Sequence, residues 1–156
     1  MQKIVNCYHQ FNQLGGRIPA DIALLLSRFA IASVFWRSAQ SKISGWDFLG
    51  QSWQFFNLNQ SALLLFQYEY QLPLLSPELA AYLGTVMEFF LPLFLILGLA
   101  TRLAGLGLLV ITAVIQFLVY PDAWPTHILW LALLVHLLQG GGGRISLDYF
   151  LARPRV

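Results

Sequence analysis

Four apolar runs, each close to the length of a bilayer crossing, set the terms for this chain. They cover residues 21–42, 77–100, 101–120 and 124–139. A helix of about 20 residues spans a hydrocarbon core of roughly 30 Å, and backbone inside lipid has to satisfy its own hydrogen bonds. The reading is an all-α integral membrane four-helix bundle, one domain over residues 1–156. Pro77 and Pro125 suit first helical turns, where an N–H is not needed. Only Ala100-Thr101-Arg102 joins the second and third spans, so these form a tight antiparallel hairpin. The stretch YPDAWP, Tyr120 to Pro125, makes the next turn, and Gly140 to Gly143 reads as a flexible exit from the short fourth span.

Composition agrees with lipid as the surrounding solvent. The chain is 58% hydrophobic and only 10% charged, against about a quarter charged in soluble domains. Its aromatic residues suit membrane interfaces. A net charge of +2 offers no nucleic-acid surface, and the single cysteine, Cys7, excludes an internal disulfide. The N-terminus MQKIVNCYHQFNQLGG is too polar for a signal-peptide core, so the first span is expected to stay as an anchor. Lys3, Arg17, Arg102, Arg144, Arg153 and Arg155 fall in the arm, the second turn and the tail, while the other two connections hold only Lys42. The positive-inside rule then places both termini in the cytoplasm. In the arm, Ile4, Cys7, Tyr8, Phe11 and Leu14 recur at helical spacing and predict an amphipathic surface helix. Ser44 to Ser76 is too long for a structureless loop. It predicts an amphipathic interfacial segment, one or two helices across the outer mouth, acting as an aromatic anchor or as a lid.

Polar groups within the spans carry the functional signal. A charge at membrane depth is costly unless paired or wet. Counting a rise of 1.5 Å per residue, Arg28 lies about 11 Å from the inner start of its span, Glu88 about 14 Å from the same side, and His136 at a similar level. Arg28 and Glu88 are therefore expected to form a buried charge pair with His136 nearby. Arg37 is nine residues beyond Arg28 and points to the opposite side of the helix. It either snorkels to the headgroups or joins Gln116, Tyr120 and His127 in an outer polar cluster that could contact a ligand head. Thr112, Gln116 and Tyr120 form one stripe at i, i+4, i+8. His127 and His136 face opposite ways on one helix, so haem held by this chain alone is not expected. No metal-ligand spacing and no nucleophile–base arrangement can be read.

Arg28, Phe35 and Lys42 resemble the R…F…K pattern of the DoxX family. The resemblance continues through FQYEYQLPLLSPELAAYLGTVMEFFLPLFLILGLATR and VIQFLVYPDAWPTHILWLALL to GRISLD. It implies a small four-helix protein of the bacterial inner membrane, some of whose relatives are associated with quinone-linked oxidation or membrane oxidoreductase assemblies. The stretches WRSAQSKISGW, FQYEY and YPDAWPTH resemble a branch encoded with copper-binding ribosomal peptides. RSAQSK and GGGG depart from that branch's more usual glycine or small-residue step and Gly-Pro-Gly exit. The expectation is a redox-linked accessory protein with a pocket for a quinone or another lipid-soluble molecule. The alternatives are a non-enzymatic partner in handling a copper-binding peptide and a purely structural subunit. Expected partners are the bilayer and other membrane, redox or metal-handling proteins, with a homo-oligomer left open.

Overall fold

The computed structural model describes residues 19–152, and the amphipathic arm expected around Ile4 to Leu14 lies outside them. Helix α1 runs Ala20–Gln40. A two-stranded hairpin follows, β1 at Asp47–Phe48 and β2 at Gln51–Ser52, paired antiparallel with Asp47 opposite Ser52. The short helix α2, Gln60–Leu64, widens into π turns over Leu65–Tyr70. Helix α3 is Pro77–Leu97, and α4 is Thr101–Val114 with π turns over Ile115–Val119. A single tight turn at Pro121–Ala123 leads into α5, Trp124–Gly140, and α6 closes the described chain at Leu147–Ala152.

The four long helices form a closed ring: α1 packs on α3 and α5, and α4 packs on the same two. The core between them holds Ile31, Phe35, Leu95, Leu108, Leu134 and Leu137. Their outer faces are apolar too, with Leu26, Phe29, Leu83, Leu103, Val110, Phe117 and Leu129 exposed. Ala20–Gln40, Pro77–Leu97 and Thr101–Val119 are long and apolar enough to cross a membrane, and at most 39% of the apolar window of each is buried within the chain. The remainder is the surface that lipid covers. Helix α5 has 17 residues, a rise of about 25 Å, is shorter than these three helices, and packs along α1 and α4.

Local sequence explains the ends of α3. The Ser76 hydroxyl accepts from the Leu79 N–H at 3.4 Å and Pro77 occupies the first turn. The helix ends at Leu97, earlier than the apolar run suggests, because Gly98 and Ala100 both adopt left-handed backbone, at φ 67° and 46°. Gly98 is needed there twice over: a Cβ would collide with the Arg28 Nη1 and the Ser146 backbone.

Two expectations are corrected. The first half of the connection between α1 and α3 is a hairpin rather than a helix. The Trp36 indole N–H donates to Gln51 Oε1 at 2.7 Å, and Gln40 bonds Ser52 through both amide atoms. These bonds pin strands too short to announce themselves by alternation. Phe55 turns inward onto Phe89, and Trp53 meets the same ring edge-on while staying exposed, as do Trp46, Phe48 and Phe56. The tetraglycine exit is folded rather than flexible. Gly141 and Gly143 take positive φ, and the Arg144 N–H donates to Asp21 Oδ1 at 2.7 Å. This bends the tail back beneath α1.

Candidate functional site

Three polar places interrupt the apolar bundle. The first lies at the end that carries the start of α1. Arg28 is 1% exposed, and its Nη1 donates to the Gly142 carbonyl at 2.9 Å. The expected Arg28–Glu88 pair is not formed. The depth estimate assumed that the spans start flush. In the structure the Arg28 guanidinium lies at the end of the bundle that carries the start of α1, beside Gly98 and Gly142. Its nearby carboxylate is Asp148, in α6. Asp148 Oδ1 accepts from the Ala100 N–H at 2.6 Å and Oδ2 from the Thr101 N–H at 2.8 Å. It caps α4 from 48 residues away. Burial alone would raise the Asp148 pKa, but the bonds from Thr101 and Ala100 and the Arg28 charge outweigh it and hold the carboxyl below its ordinary value.

The second place lies under the hairpin. Glu88 and Lys42, each 3% exposed, form an ion pair at 2.6 Å. The Lys42 ammonium also donates to the Ser38 hydroxyl at 2.6 Å and the Ser38 carbonyl at 3.2 Å. Lys42 is the partner that the sequence reading missed, because it was placed at the edge of its helix. The signal was available: Lys42 stands two heptads after Arg28, on the same face. Pro92 has no N–H to bond the Glu88 carbonyl one turn earlier, which loosens the helix at this point. Glu88 also lines a cavity of about 200 Å³ with Phe66, Tyr70, Met87, Val110 and Val114. The two π segments touch above it. There the Tyr120 hydroxyl donates to Glu69, and Tyr70 packs edge-on to Tyr120 at 5.9 Å. Burial, the bond to Glu69 and the Glu69 charge push the Tyr120 pKa up to about 12. Burial, followed by the Glu88 charge, raises that of Tyr70.

The third place is a groove of about 330 Å³ between α4 and α5, walled by Leu109, Ala113, Phe117, Ile128 and Leu131. Its polar groups are Thr112, Gln116 and His127, with Trp124 at the rim. His127 Nδ1 and Gln116 Oε1 are 2.7 Å apart, and Gln116 Nε2 donates to the Pro121 carbonyl at 2.8 Å. The imidazole packs on Trp130 at 4.8 Å. Gln116 and His127, expected together, meet. Tyr120 does not join them: the π turns and the break at φ −128° take it off the Thr112–Gln116 stripe and over to Glu69. Arg37 is exposed on the outer face of α1 and stands outside the cluster. His136 is likewise exposed, since Leu134 and Leu137 take the core side of α5, and it is no neighbour of Glu88. Among the described residues no three His, Cys, Asp or Glu side chains group as a metal site.

A DoxX family profile matches residues 23–121, well over half of the chain. The chain belongs to the DoxX family. It is a multi-pass membrane protein of that family, and the match is to the family as a whole rather than to any branch of it. The matched stretch holds Arg28, Lys42, Glu88, Gln116 and Tyr120 and ends before His127 and Asp148. Neither a curated protein nor a solved structure matches the chain significantly.

Proposed function

We propose that this DoxX-family protein is a redox-linked accessory protein of the bacterial inner membrane that holds a lipid-soluble ligand of the quinone class. The ligand lies in the groove between α4 and α5, its ring against His127 and Gln116 and its tail along Phe117, Ile128 and Leu131. One observation carries this reading. The groove is apolar along its walls, yet it holds a hydrogen-bonded amide–imidazole pair whose imidazole is buried. Few well-placed polar groups in an apolar cleft are the mark of a small-molecule site. The ion pair under the hairpin and the Arg28–Asp148 end hold the bundle in register around it.

Protein purified in nanodiscs and extracted with organic solvent should yield a bound quinone. His127→Ala should lower that yield several-fold while folded protein stays near normal. Equal retention by the variant would remove the groove from consideration. A protein that carries no quinone, in a strain made copper-sensitive by its deletion, would favour the peptide-handling role instead. The orientation proposed from the basic residues is tested separately. A reporter fused after Val156 should read cytoplasmic and one inserted near Asn57 periplasmic, and the reverse pattern would overturn the charge argument.

A further inference from the structure

We propose that the groove between α4 and α5 selects the reduced, hydroxyl-bearing form of its ligand, a hydroquinone or phenol, over the oxidised carbonyl form. The inference rests on the reading above that this groove holds a ligand head, and it follows from a chain of obligate hydrogen bonds. The Pro121 carbonyl can only accept, so the Gln116 atom facing it at 2.8 Å is the amide nitrogen. Gln116 Oε1 is thereby turned toward His127. That oxygen can only accept, so His127 Nδ1, 2.7 Å away, carries the ring proton. A neutral imidazole has one N–H. His127 is buried, and charging its ring there with no carboxylate against it would be costly. Nε2 is therefore a bare acceptor. No described residue bonds it, and His127 lines the groove.

The other buried polar group of the groove points the same way. The Thr112 hydroxyl gives its proton to the Leu108 carbonyl at 2.8 Å, leaving only lone pairs. Gln116 has one amide proton left after Pro121, and Trp124 offers an indole N–H from the exposed rim. The two most buried polar side chains of the groove, His127 and Thr112, both present acceptors. A ligand hydroxyl satisfies His127 Nε2. A ligand carbonyl leaves two acceptors facing each other away from water, and sites that hydrogen-bond a ligand hydroxyl discriminate strongly against analogues lacking it.

The test uses full-length protein in nanodiscs under anaerobic conditions, titrated calorimetrically with a short-chain quinol, its quinone and the quinol dimethyl ether. The quinol should bind on the order of ten-fold tighter than either of the others. Gln116→Leu frees the ring to carry its proton on either nitrogen, so the quinone should gain affinity and the preference should shrink to within about two-fold. Trp124→Phe should leave the preference intact, which separates the buried acceptor from the rim donor. If Gln116→Leu fails to fold, His127→Phe keeps a ring of similar size and should abolish the preference. Equal binding of quinol and quinone by the unmodified protein overturns the selection while leaving the groove as a site. A dimethyl ether that binds as tightly as the quinol also overturns it. Failure of all three to bind removes the site itself, and the selection with it.

Discussion

Glu88→Ala and Lys42→Ala should each cost about 3–5 kcal/mol of stability, the range for breaking a buried ion pair by removing one partner. Both side chains are 3% exposed and meet at 2.6 Å. The hairpin and the aromatic cluster of Trp36, Phe55, Phe89 and Phe90 close over the region around them, so a single remaining charge finds little water. Lys42 keeps only the Ser38 oxygens when Glu88 is lost. Glu88 loses its only described hydrogen bond when Lys42 is lost. The pair Lys42→Leu with Glu88→Leu should recover most of the deficit, because an apolar pair of similar bulk removes both desolvation penalties together. Arg28→Leu with Glu88→Leu should show no such recovery, since these two residues sit at different ends of the bundle. Retained folded protein after heating in detergent, followed by size exclusion, reads all four variants. A double Lys42–Glu88 variant no more stable than the singles would mean that the charges are stabilised by something other than each other.

That contrast shows where sequence reasoning carries and where it stops. Which face of α1 is buried was legible: Arg28, Ile31, Ala32, Phe35 and Ala39 follow helical spacing, and all are buried. The limits of the four long helices were legible to within a few residues, because run length and the bilayer fix them. The partner of Arg28 was not, because helix spacing says which residues share a face and nothing about how far one helix slides along another. Lys42 was overlooked for a related reason. It stands two residues past the end of α1, and a charge at a span's end is ordinarily read as wet. Gln116 and His127 were found because both stand near the same turn, where any register brings them close. Tyr120 was lost to the π turns, which sequence periodicity assumes away. Asp148 was out of reach altogether: nothing local marks a carboxylate that caps a helix starting 47 residues earlier.

Asp148 supplies the second large effect. The turn between α3 and α4 holds two residues in left-handed backbone, and one of them, Ala100, has a side chain that disfavours it. The Asp148 carboxylate bonds both N–H groups at this start of α4, at 2.6 and 2.8 Å, and so holds the strained turn closed. Net contributions of about 1.5–3 kcal/mol attach to each hydrogen bond to a charged group, and the partial exposure of Asp148 puts the lower end in play. Asp148→Ala should therefore cost a few kcal/mol, and it also deprives buried Arg28 of its nearby countercharge. Asp148→Asn should be nearly as harmful, because an amide can offer only one oxygen where two N–H groups converge. If the charge on Arg28 matters beyond these bonds, Asp148→Ala should cost less in an Arg28→Met background than in the native one. Strict additivity would confine Asp148 to capping. Acid gives an independent reading. Because the folded-state pKa lies below the ordinary carboxylate value, the contribution is complete above about pH 4 and is lost only as pH falls below that through the folded value. Native protein and Asp148→Asn should thus differ most at neutral pH and converge on acidification. A stability gap that persisted unchanged at pH 2 would show that the carboxylate charge plays no part.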